Sequence, residues 1–249
     1  MPSSDDEWAG QFDRGRSLSI AKEKLWLALF KQHLGLVRTS RLLDVGCGTG
    51  RFAISIARNL ECTVIGIDPS LPMLTMAVRK NMLRTYWFLA RAEALPCASE
   101  SFDACLVSQV MHHLQDKHRA LQEIYRTLQT GGRIGIRASS HAQLKRFLDY
   151  RFFPSALTID LERMPDVPAI SALLEASGFT EIQVHVVSQP FMEPGQAYLD
   201  KLRNKYSSGL RLISEQEYRR GLEQAARYLK HELTDADRNA ELSFIVAIK

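Results

Sequence analysis

Three glycines and an aspartate in the first third of the sequence have the types and order of a nucleotide-binding site. Gly46, Gly48 and Gly50 follow a short apolar run typical of a strand and precede an amphipathic run typical of a helix. Residues without a Cβ let the chain reverse tightly there and let its N–H groups approach a ligand. Asp68 ends the next apolar run, where a carboxylate can accept both hydroxyls of a ribose. The pattern predicts a site for an adenosine-containing ligand.

The spacing of these glycines distinguishes between possible cofactors. Dinucleotide-binding folds use G-x-G-x-x-G, which places a pyrophosphate at a helix N-terminus, whereas this chain has G-x-G-x-G preceded by Asp44. An acid beside the loop disfavours a phosphate and favours a cationic ligand. S-adenosylmethionine (SAM) carries an ammonium and a sulfonium, and Asp44 can orient that end by hydrogen bonding. We therefore expect SAM, with S-adenosylhomocysteine as its spent form, rather than NAD.

Four segments in order carry a family resemblance, namely LLDVGCGTGRFA, IDPS, AEALPCASESFDACLVSQVMHHL and GGRIGI. Together they resemble the class I SAM-dependent methyltransferases of the small-molecule, ubiquinone-biosynthesis-like type, over about residues 38–138, and LLEASGF at 173–179 fits in character. The resemblance implies that the glycine loop and Asp44 hold the methionyl part of SAM and that Asp68 holds the ribose. The residues that it implies as cofactor-binding are Asp44, Gly46, Cys47, Gly48, Gly50, Asp68, Pro69, Met73, Ala92, Glu93 and Ser108.

Some of these positions have a second, purely structural interpretation. Pro69 and Met73 would flank the adenine, but Met73 could also be core packing. Glu93 would border the adenine, or it could cap a turn. Ser108 would lie beneath the methionyl chain. The position of Cys47 in the glycine loop requires only a small side chain, so we assign no catalytic role to its thiol.

The acceptor side offers fewer signals. Displacement of a methyl group from a sulfonium has a good leaving group, so alignment is the main task of the protein. If the acceptor holds a proton at neutral pH, His112 or His113 is the candidate catalytic base, with His141 a weaker candidate; the alternative is that the pair only shapes the pocket. Arg16, or Arg14, is a candidate partner of the SAM carboxylate, or else a solvated surface arginine.

Apolar runs alternate with amphipathic stretches along the chain, which is typical of βαβ winding onto a parallel sheet. We predict one α/β domain, Rossmann-like and doubly wound, with a mostly parallel seven-stranded sheet and helical insertions after strands 5 and 6. Its expected parts are an N-terminal cap (1–37), a SAM-binding core (38–138) and two insertions on the acceptor side (139–168 and 188–240).

Local signals also predict where several elements begin and end. Asp116 is expected to cap a helix that stops at Gly131 and Gly132, with the fifth strand starting at Arg133. Ser214 is expected to start a helix, with Glu217 placed three residues later as in a capping box. 

The lid over the acceptor is expected from residues 12–16, 152–163 and 206–218. Within the first insertion, Tyr150, Phe152 and Phe153 could line an apolar acceptor pocket or simply pack the insertion.

Composition limits the class of protein. The chain has 249 residues, of which 45% are hydrophobic and 24% charged, as in an ordinary globular protein, and no apolar run is long enough for a membrane helix. The acidic, polar start gives no export signal. Four cysteines without a C-x-x-C pair or nearby histidines predict neither disulfides nor a metal site, so we expect a cytoplasmic protein with reduced thiols.

Three functions stay open from the residues alone. The first is methyl transfer to a small molecule. The second is methylation of tRNA or protein; a net charge of +4 does not argue for nucleic acid, and Ser108-Gln109-Val110-Met111 stands where an N-P-P-Y tetrapeptide would indicate base methylation. The third is a SAM-binding regulatory or assembly protein without turnover.

Overall fold

The computed structural model describes residues 4–15, 18–80, 82–190, 195–230 and 239–249, with side chains from residue 9 onward. A seven-stranded sheet forms the centre, in the order β3-β2-β1-β4-β5-β7-β6. β7 runs antiparallel to β5 and β6, and the other neighbouring pairs are parallel. The predicted fold class is therefore confirmed. The strands are β1 (Arg41–Val45), β2 (Thr63–Asp68), β3 (Thr85–Leu89), β4 (Phe102–Ser108), β5 (Leu128–Ala138), β6 (Thr180–Pro190) and β7 (Asn239–Ile248).

Helices cover both faces of the sheet and build the insertions. They are α1 (Ser4–Gly15), α2 (Ile20–Leu34), α3 (Arg51–Leu60), α4 (Leu71–Arg79), α5 (Lys117–Thr127), α6 (His141–Leu144), α7 (Asp149–Phe152), α8 (Pro154–Arg163), α9 (Val167–Ala176), α10 (Gln196–Arg203) and α11 (Glu215–Tyr228), with 3-10 turns at Met111–His113 and Gly209–Arg211. Helices α6–α8 fall within the first expected insertion, and α10 and α11 fall within the second.

Each face of the sheet has its own apolar core. Trp26, Phe30 and Phe52, from α2 and α3, are buried against one face. On the other face α5 and α9 bury side chains such as Ile124 and Leu174. Because apolar residues recur at helical spacing only on the inner side of these helices, burial fixes their orientation on the sheet. The carboxyl ends of the parallel strands are thereby held in one rigid edge.

The two insertions pack against each other and form a third core. Phe152 and Phe153 from the first insertion lie with Tyr198, Leu202 and Tyr218 from the second, all of them buried. Segments far apart in sequence therefore act as one small helical layer. Phe152 and Phe153 are explained by this packing.

The start of β5 differs from the prediction. Helix α5 ends at Thr127 and the chain enters β5 at once, so that Gly131 and Gly132 lie inside the strand rather than at a helix end. Leu128 pairs with Phe102, and the register then shifts before regular pairing resumes at Arg133. Gly131, with φ of 78°, lies in this irregular stretch. The glycines are used for a strand irregularity, which the local sequence does not distinguish from a helix end.

Helix α11 begins as predicted but without the full capping box. The Ser214 hydroxyl accepts a hydrogen bond from the Glu217 N–H at 3.2 Å. The Glu217 carboxylate, however, accepts from the Ser155 N–H at 3.0 Å. The acid therefore ties α11 to the first insertion instead of closing its own helix end.

Two features are absent from the described residues. No described helix is long and apolar enough to cross a membrane. In the same ranges, no group of three or more His, Cys, Asp or Glu side chains is arranged so that it could hold a metal ion.

Candidate functional site

A cleft opens at the carboxyl ends of β1, β2 and β4, and we call it the main cleft. Its empty volume is about 1530 Å³, part of which is open to solvent. Four separate segments contribute ligand-site candidates to its wall. They are Asp44, Gly46, Cys47, Gly48, Asp68, Pro69, Met73, Ala92, Glu93, Ser108 and His113.

The glycine loop between β1 and α3 shows why glycine is needed. Gly46, Gly48 and Gly50 have φ of 68°, 55° and 75°, a region that side chains disfavour. A Cβ on Gly46 would lie 2.5 Å from the Val110 side chain, and one on Gly50 would overlap the indole of Trp87. A Cβ on Gly48 would meet nothing within 4 Å, and Gly48 lines the main cleft. Two glycines thus allow close packing, and the third leaves open space.

Gly50 is placed differently from Gly46 and Gly48. Gly50 does not line the main cleft. It lies at the N-terminus of α3 and packs against the Trp87 ring. Its N–H donates to the carbonyl oxygen of Cys47 at 3.0 Å and closes the turn. Gly50 therefore shapes the loop rather than the cleft surface.

Two buried carboxyl groups line the main cleft. Asp44 is 2% exposed and Asp68 is 9% exposed. One oxygen of Asp68 accepts from the Gly48 N–H at 2.8 Å, and the other accepts from the Ser70 N–H at 2.9 Å. Asp44 accepts from the Ala53 N–H in the first turn of α3. Backbone amides thus hold both acids in place.

Burial changes the protonation of both acids. Burial and the neighbouring charge of Asp68 raise the pKa of Asp44 to about 7, although Arg51 and the Ala53 amide act in the opposite direction. Burial also raises the pKa of Asp68, against the amides of Ser70 and Gly48. Because the charge of Asp68 disfavours the ionisation of Asp44, a cationic ligand would stabilise the two acids together.

Cys47 has the environment of a structural thiol. Burial raises the pKa of Cys47 well above its usual range, and the charges of Asp44 and Asp68 raise it further. A thiol held in its protonated form is a poor nucleophile. Its sulfur lies 2.9 Å from where a Cβ of Gly66 would stand, so space at this position is limited.

Glu93 lies at the cleft and also caps a turn, so both interpretations of its position apply. It lines the main cleft, and its carboxylate also accepts from the N–H groups of Gln115 at 2.9 Å and Asp116 at 3.4 Å. Burial raises the pKa of Glu93, but backbone amides outweigh burial and leave the pKa below its usual value. Met73 is likewise both buried, at 4% exposure, and part of the wall.

A second cavity adjoins the main cleft, and we call it the side cavity. Its empty volume is about 1060 Å³. It shares Arg51, Gln109 and Ser208 with the main cleft. Its walls come from the ends of β4 and β5, the start of α2 and both insertions. A ligand in the main cleft and a second molecule in the side cavity would therefore meet at these shared residues.

The two candidate histidines face different spaces. His112 lines the side cavity and His113 lines the main cleft, with ring centroids 4.0 Å apart. His113 is exposed, whereas His112 is half-buried. His141 lines neither space, and its Nε2 lies 2.9 Å from the Met164 carbonyl oxygen. From the aromatic group of the first insertion, Tyr150 lines the side cavity.

An acidic residue of α1 fastens the N-terminal helix over the glycine loop. Asp13 accepts from the Thr49 hydroxyl at 2.5 Å and from the Lys80 ammonium at 2.7 Å. Lys80 also donates to the Thr49 carbonyl oxygen at 2.8 Å. Phe12, the neighbour of Asp13, lines the main cleft. Helix α1 therefore covers part of the cleft and is held there by a charged contact.

Of the two arginines proposed from sequence for this segment, the structure describes Arg14. Arg14 is exposed and lines neither space. Arg16 lies outside the described residues. Arg51, which sequence reasoning did not select, lines both spaces, although its place directly after the glycine loop was a usable signal.

Gln109 is a further wall residue that the sequence did not indicate. It follows β4 with φ of 59°, which is uncommon for a residue with a side chain, and its N–H donates to the Arg137 carbonyl oxygen at 2.9 Å. It lines both spaces. Such backbone conformations collect at functional sites, but they are set by neighbouring strands and leave no local pattern.

Comparisons with known proteins agree with this geometry. A family model described as a methyltransferase domain matches residues 43–136. The O-methyltransferase rstn1 of Aspergillus nomiae is 32% identical over 182 residues, which cover 69% of this chain and 77% of that protein. A demethylmenaquinone methyltransferase of Lactiplantibacillus plantarum is 33% identical over 137 residues, which cover 52% of this chain and 58% of that protein.

Solved structures match over nearly the full chain. A protein described as a methyltransferase from an antibiotic biosynthesis pathway of Anabaena variabilis superposes with a TM-score of 0.72. The match covers 90% of this chain and 96% of that one, at 20% sequence identity. At that identity the likeness concerns the fold alone.

Proposed function

Since the chain belongs to the class I SAM-dependent methyltransferases, we propose that the main cleft holds SAM and that the side cavity holds a small-molecule acceptor. The observation that carries this proposal is the meeting of the two spaces at Arg51, Gln109 and Ser208. Methyl transfer needs donor and acceptor in line at one point, and this is where two ligands would meet.

The residues of the main cleft fit the cofactor. Gly48 leaves the space that a Cβ would otherwise fill. Asp44 and Asp68 supply two carboxyl groups that are costly to ionise together without a cation. SAM brings an ammonium and a sulfonium to such a surface. Shape and charge of the cleft therefore both suit this ligand.

Each of these wall residues would then contact a particular part of SAM. Asp44 would orient the amino end and Asp68 the ribose hydroxyls, because charge-assisted hydrogen bonds fix geometry strongly. Pro69 and Met73 would cover the adenine, and Ser108 would lie beneath the methionyl chain. When bound, SAM supplies a methyl group on a sulfonium sulfur, and that sulfur is a good leaving group.

The side cavity accounts for the acceptor side. His112 lines it, so we assign to His112, rather than His113, any proton that the acceptor must lose. The cavity is bounded by both insertions, which favours a small molecule over tRNA or a protein chain. The four described free thiols support a cytoplasmic location.

Calorimetry with S-adenosylhomocysteine tests the cofactor half directly. We expect one binding site per chain, and we expect NADH not to bind. Transfer of label from SAM carrying a tritiated methyl group to a small-molecule panel, with transfer RNA as the comparison, tests the acceptor half. Absence of binding by folded protein would refute the proposal.

Cofactor binding is expected to depend on pH through Asp44. With its pKa raised to about 7, Asp44 is largely protonated in slightly acidic solution, and a bound cation favours the carboxylate. Binding of SAM should therefore release protons, and affinity should rise from about pH 6 to about pH 8. Calorimetry at pH 6.5 in two buffers of different ionisation enthalpy measures the release. Asp44→Asn should abolish it, and unchanged release in that variant would contradict the assignment.

The same group has the opposite effect on the stability of the ligand-free protein. The folded chain binds the Asp44 proton more tightly than the unfolded chain, whose carboxyl has its ordinary pKa. Its contribution to stability is therefore complete below that ordinary value and is lost as the pH rises to about 7.

Loss of the Asp13 contact is expected to speed cofactor release. Asp13→Ala removes the acceptor that ties α1 to Thr49 and Lys80, so the dissociation rate of S-adenosylhomocysteine should rise about 5- to 20-fold, in line with the loss of a charged hydrogen bond. Surface plasmon resonance measures this rate. Arg14→Ala, at the exposed neighbour of Asp13 on α1, is the control and should leave the rate unchanged. Equal rates in all three proteins would contradict the role of Asp13.

A further inference from the structure

One edge of the sheet carries a concentration of exposed apolar side chains. Of the eleven large apolar side chains that are exposed in the described part of the chain, six lie on the segment from α4 to β3. Strand β3 is the edge strand on that side, and α4 packs against it, so we treat the six as one region and call it the edge surface. Its apolar members are Leu71, Val78, Leu83, Tyr86, Phe88 and Leu89, which are 47–80% exposed.

The exposure of β3 follows from how the strands are connected. Helices α3, α4 and α5 link the other successive parallel strands, but the connection from β3 to β4, residues 90–101, contains no helix. Trp87 packs into the core beneath α2 and α3, so the alternation of side chains along a strand places Tyr86 and Phe88 on the opposite face. Farther along the sheet that face is covered by α5 and α9. The two rings on β3 therefore stay in contact with solvent.

The same segment is basic. Between Asp68 and Glu93 the sequence has no acid and four cations, namely Arg79, Lys80, Arg84 and Arg91, all of them exposed. Lys80 pairs with Asp13 at 2.7 Å. Arg91 lies 3.6 Å from Glu93. Arg79 and Arg84 form no ion pair with a side chain that the structure describes. The edge surface therefore has an excess of positive charge beside its apolar side chains.

These charges oppose a second copy of the chain at this edge. Two copies related by a two-fold axis would pair β3 with β3 in antiparallel order. If Trp87 of each copy stood opposite Phe88 of the other, Arg84 of each copy would stand opposite Arg91 of the other. Like charges directly opposite each other destabilise strand pairing, and cations at a sheet edge are a common protection against it.

An anionic lipid surface suits both features of the edge surface. Interfacial binding combines burial of apolar side chains among the headgroups with attraction of cations to anionic lipids. The apolar side chains come from a helix, from the turn at Leu83 and from an edge strand, so they do not form one flat face. A rigid protein partner would need a matching groove, whereas lipids adapt to such a shape. Tyr86 also belongs to a residue type that is enriched at membrane interfaces.

We propose that the edge surface docks the protein on an anionic lipid membrane. Leu83, Tyr86 and Phe88 enter the headgroup region, and Arg79 and Arg84 face the lipid phosphates. This docking needs no methyl transfer, so it is independent of the proposed function and is tested without cofactor or acceptor.

Cosedimentation of the full chain with lipid vesicles tests the docking. One set of vesicles is phosphatidylcholine alone, and the other is three parts phosphatidylcholine to one part phosphatidylglycerol. We expect at least about tenfold tighter binding to the anionic vesicles. Binding should weaken as salt is added, because exposed charges are screened. Equal binding to both sets, or no binding to either, would overturn the proposal.

Two variants on the edge surface have matched controls elsewhere. Leu83→Glu and Arg84→Glu should each weaken binding to the anionic vesicles at least about tenfold. Val186→Glu changes a 63% exposed valine on β6, the other edge strand, and Arg220→Glu changes an exposed arginine of α11. Both controls should leave binding unchanged. Melting temperatures show which variants are folded, and either folded variant of the edge surface decides the question. Equal losses in the controls would mean that net charge alone drives binding, and the proposal would be wrong.

A tryptophan placed on the edge surface distinguishes lipid from other partners. With brominated lipids in the anionic vesicles, Leu83→Trp should show strong quenching of the added indole, whereas Val186→Trp should show none beyond the parent protein. Light scattering measures the mass of the protein without vesicles. A dimer that Arg84→Glu dissociates would make the edge surface an interface between copies. Binding to soluble polyglutamate without quenching by brominated lipids would make it a surface for an acidic chain. Either result would contradict the proposal.

Discussion

Replacing Gly48 by valine is expected to weaken binding of S-adenosylhomocysteine more than about 100-fold while the protein stays folded. A Cβ at this position would meet no protein atom within 4 Å, and the position lines the main cleft, so we expect the valine side chain to project into the cleft. It would therefore occupy the space proposed for the cofactor. The φ of 55° at this position adds backbone strain of about 1–3 kcal/mol, so some loss of melting temperature is also expected.

A variant at a second glycine distinguishes the effect of backbone strain from the effect of a side chain that blocks the cleft. Gly131 also has a positive φ, of 78°, and a Cβ there would likewise meet nothing within 4 Å, but Gly131 is exposed and outside the main cleft. Gly131→Val should lower the melting temperature by a similar amount and leave cofactor affinity unchanged. If the two valine variants bound S-adenosylhomocysteine equally well, the assignment of the cleft would be wrong.

Asp68→Ala is expected to weaken cofactor binding by at least about tenfold. A hydrogen bond from a ligand to a charged partner contributes about 1.5–3 kcal/mol, and each 1.4 kcal/mol corresponds to a factor of ten. The variant also removes the acceptor of the Gly48 and Ser70 N–H groups, which loosens the glycine loop. Calorimetry with S-adenosylhomocysteine measures the loss.

Two further observations make this result specific. Asp103→Ala is the control, since Asp103 also accepts a backbone hydrogen bond, from the Arg41 N–H at 2.7 Å, but lies outside the main cleft. In Asp68→Ala the pKa of Asp44 should fall, because the charge of Asp68 is one cause of its elevation. Proton release on binding should then decrease. Affinity and proton release equal to those of the parent would contradict the role of Asp68.

The regular part of the fold could be predicted because its signals are local. Strand β1 and helix α3 flank the glycine loop as predicted, since an apolar run, a glycine turn and a helical repeat follow one another directly. The predicted start of β5 was wrong because the position of that start depends on pairing with β4 across the sheet. A glycine pair has the same local pattern in a helix end and in a strand irregularity.

The candidate site divides in the same way. The glycine loop and Asp68 stand at element ends, where residue type and spacing carry the information. The Asp13 contacts join residues 36 and 67 positions apart, and no periodicity indicates such a pair. Gln109 depends on a backbone conformation set by the neighbouring β5. Long-range geometry of this kind appears only when the chain is folded.

The positions of two indoles make the protein suited to spectroscopy. Trp87 lies behind the glycine loop, where it fills the space that a side chain on Gly50 or Gly66 would need. Trp26 stands beside the side cavity, in contact with Arg137. With Trp8 replaced by phenylalanine, tryptophan fluorescence would come from these two indoles alone. One would then report occupancy of the donor site and the other occupancy of the acceptor site, without any attached dye.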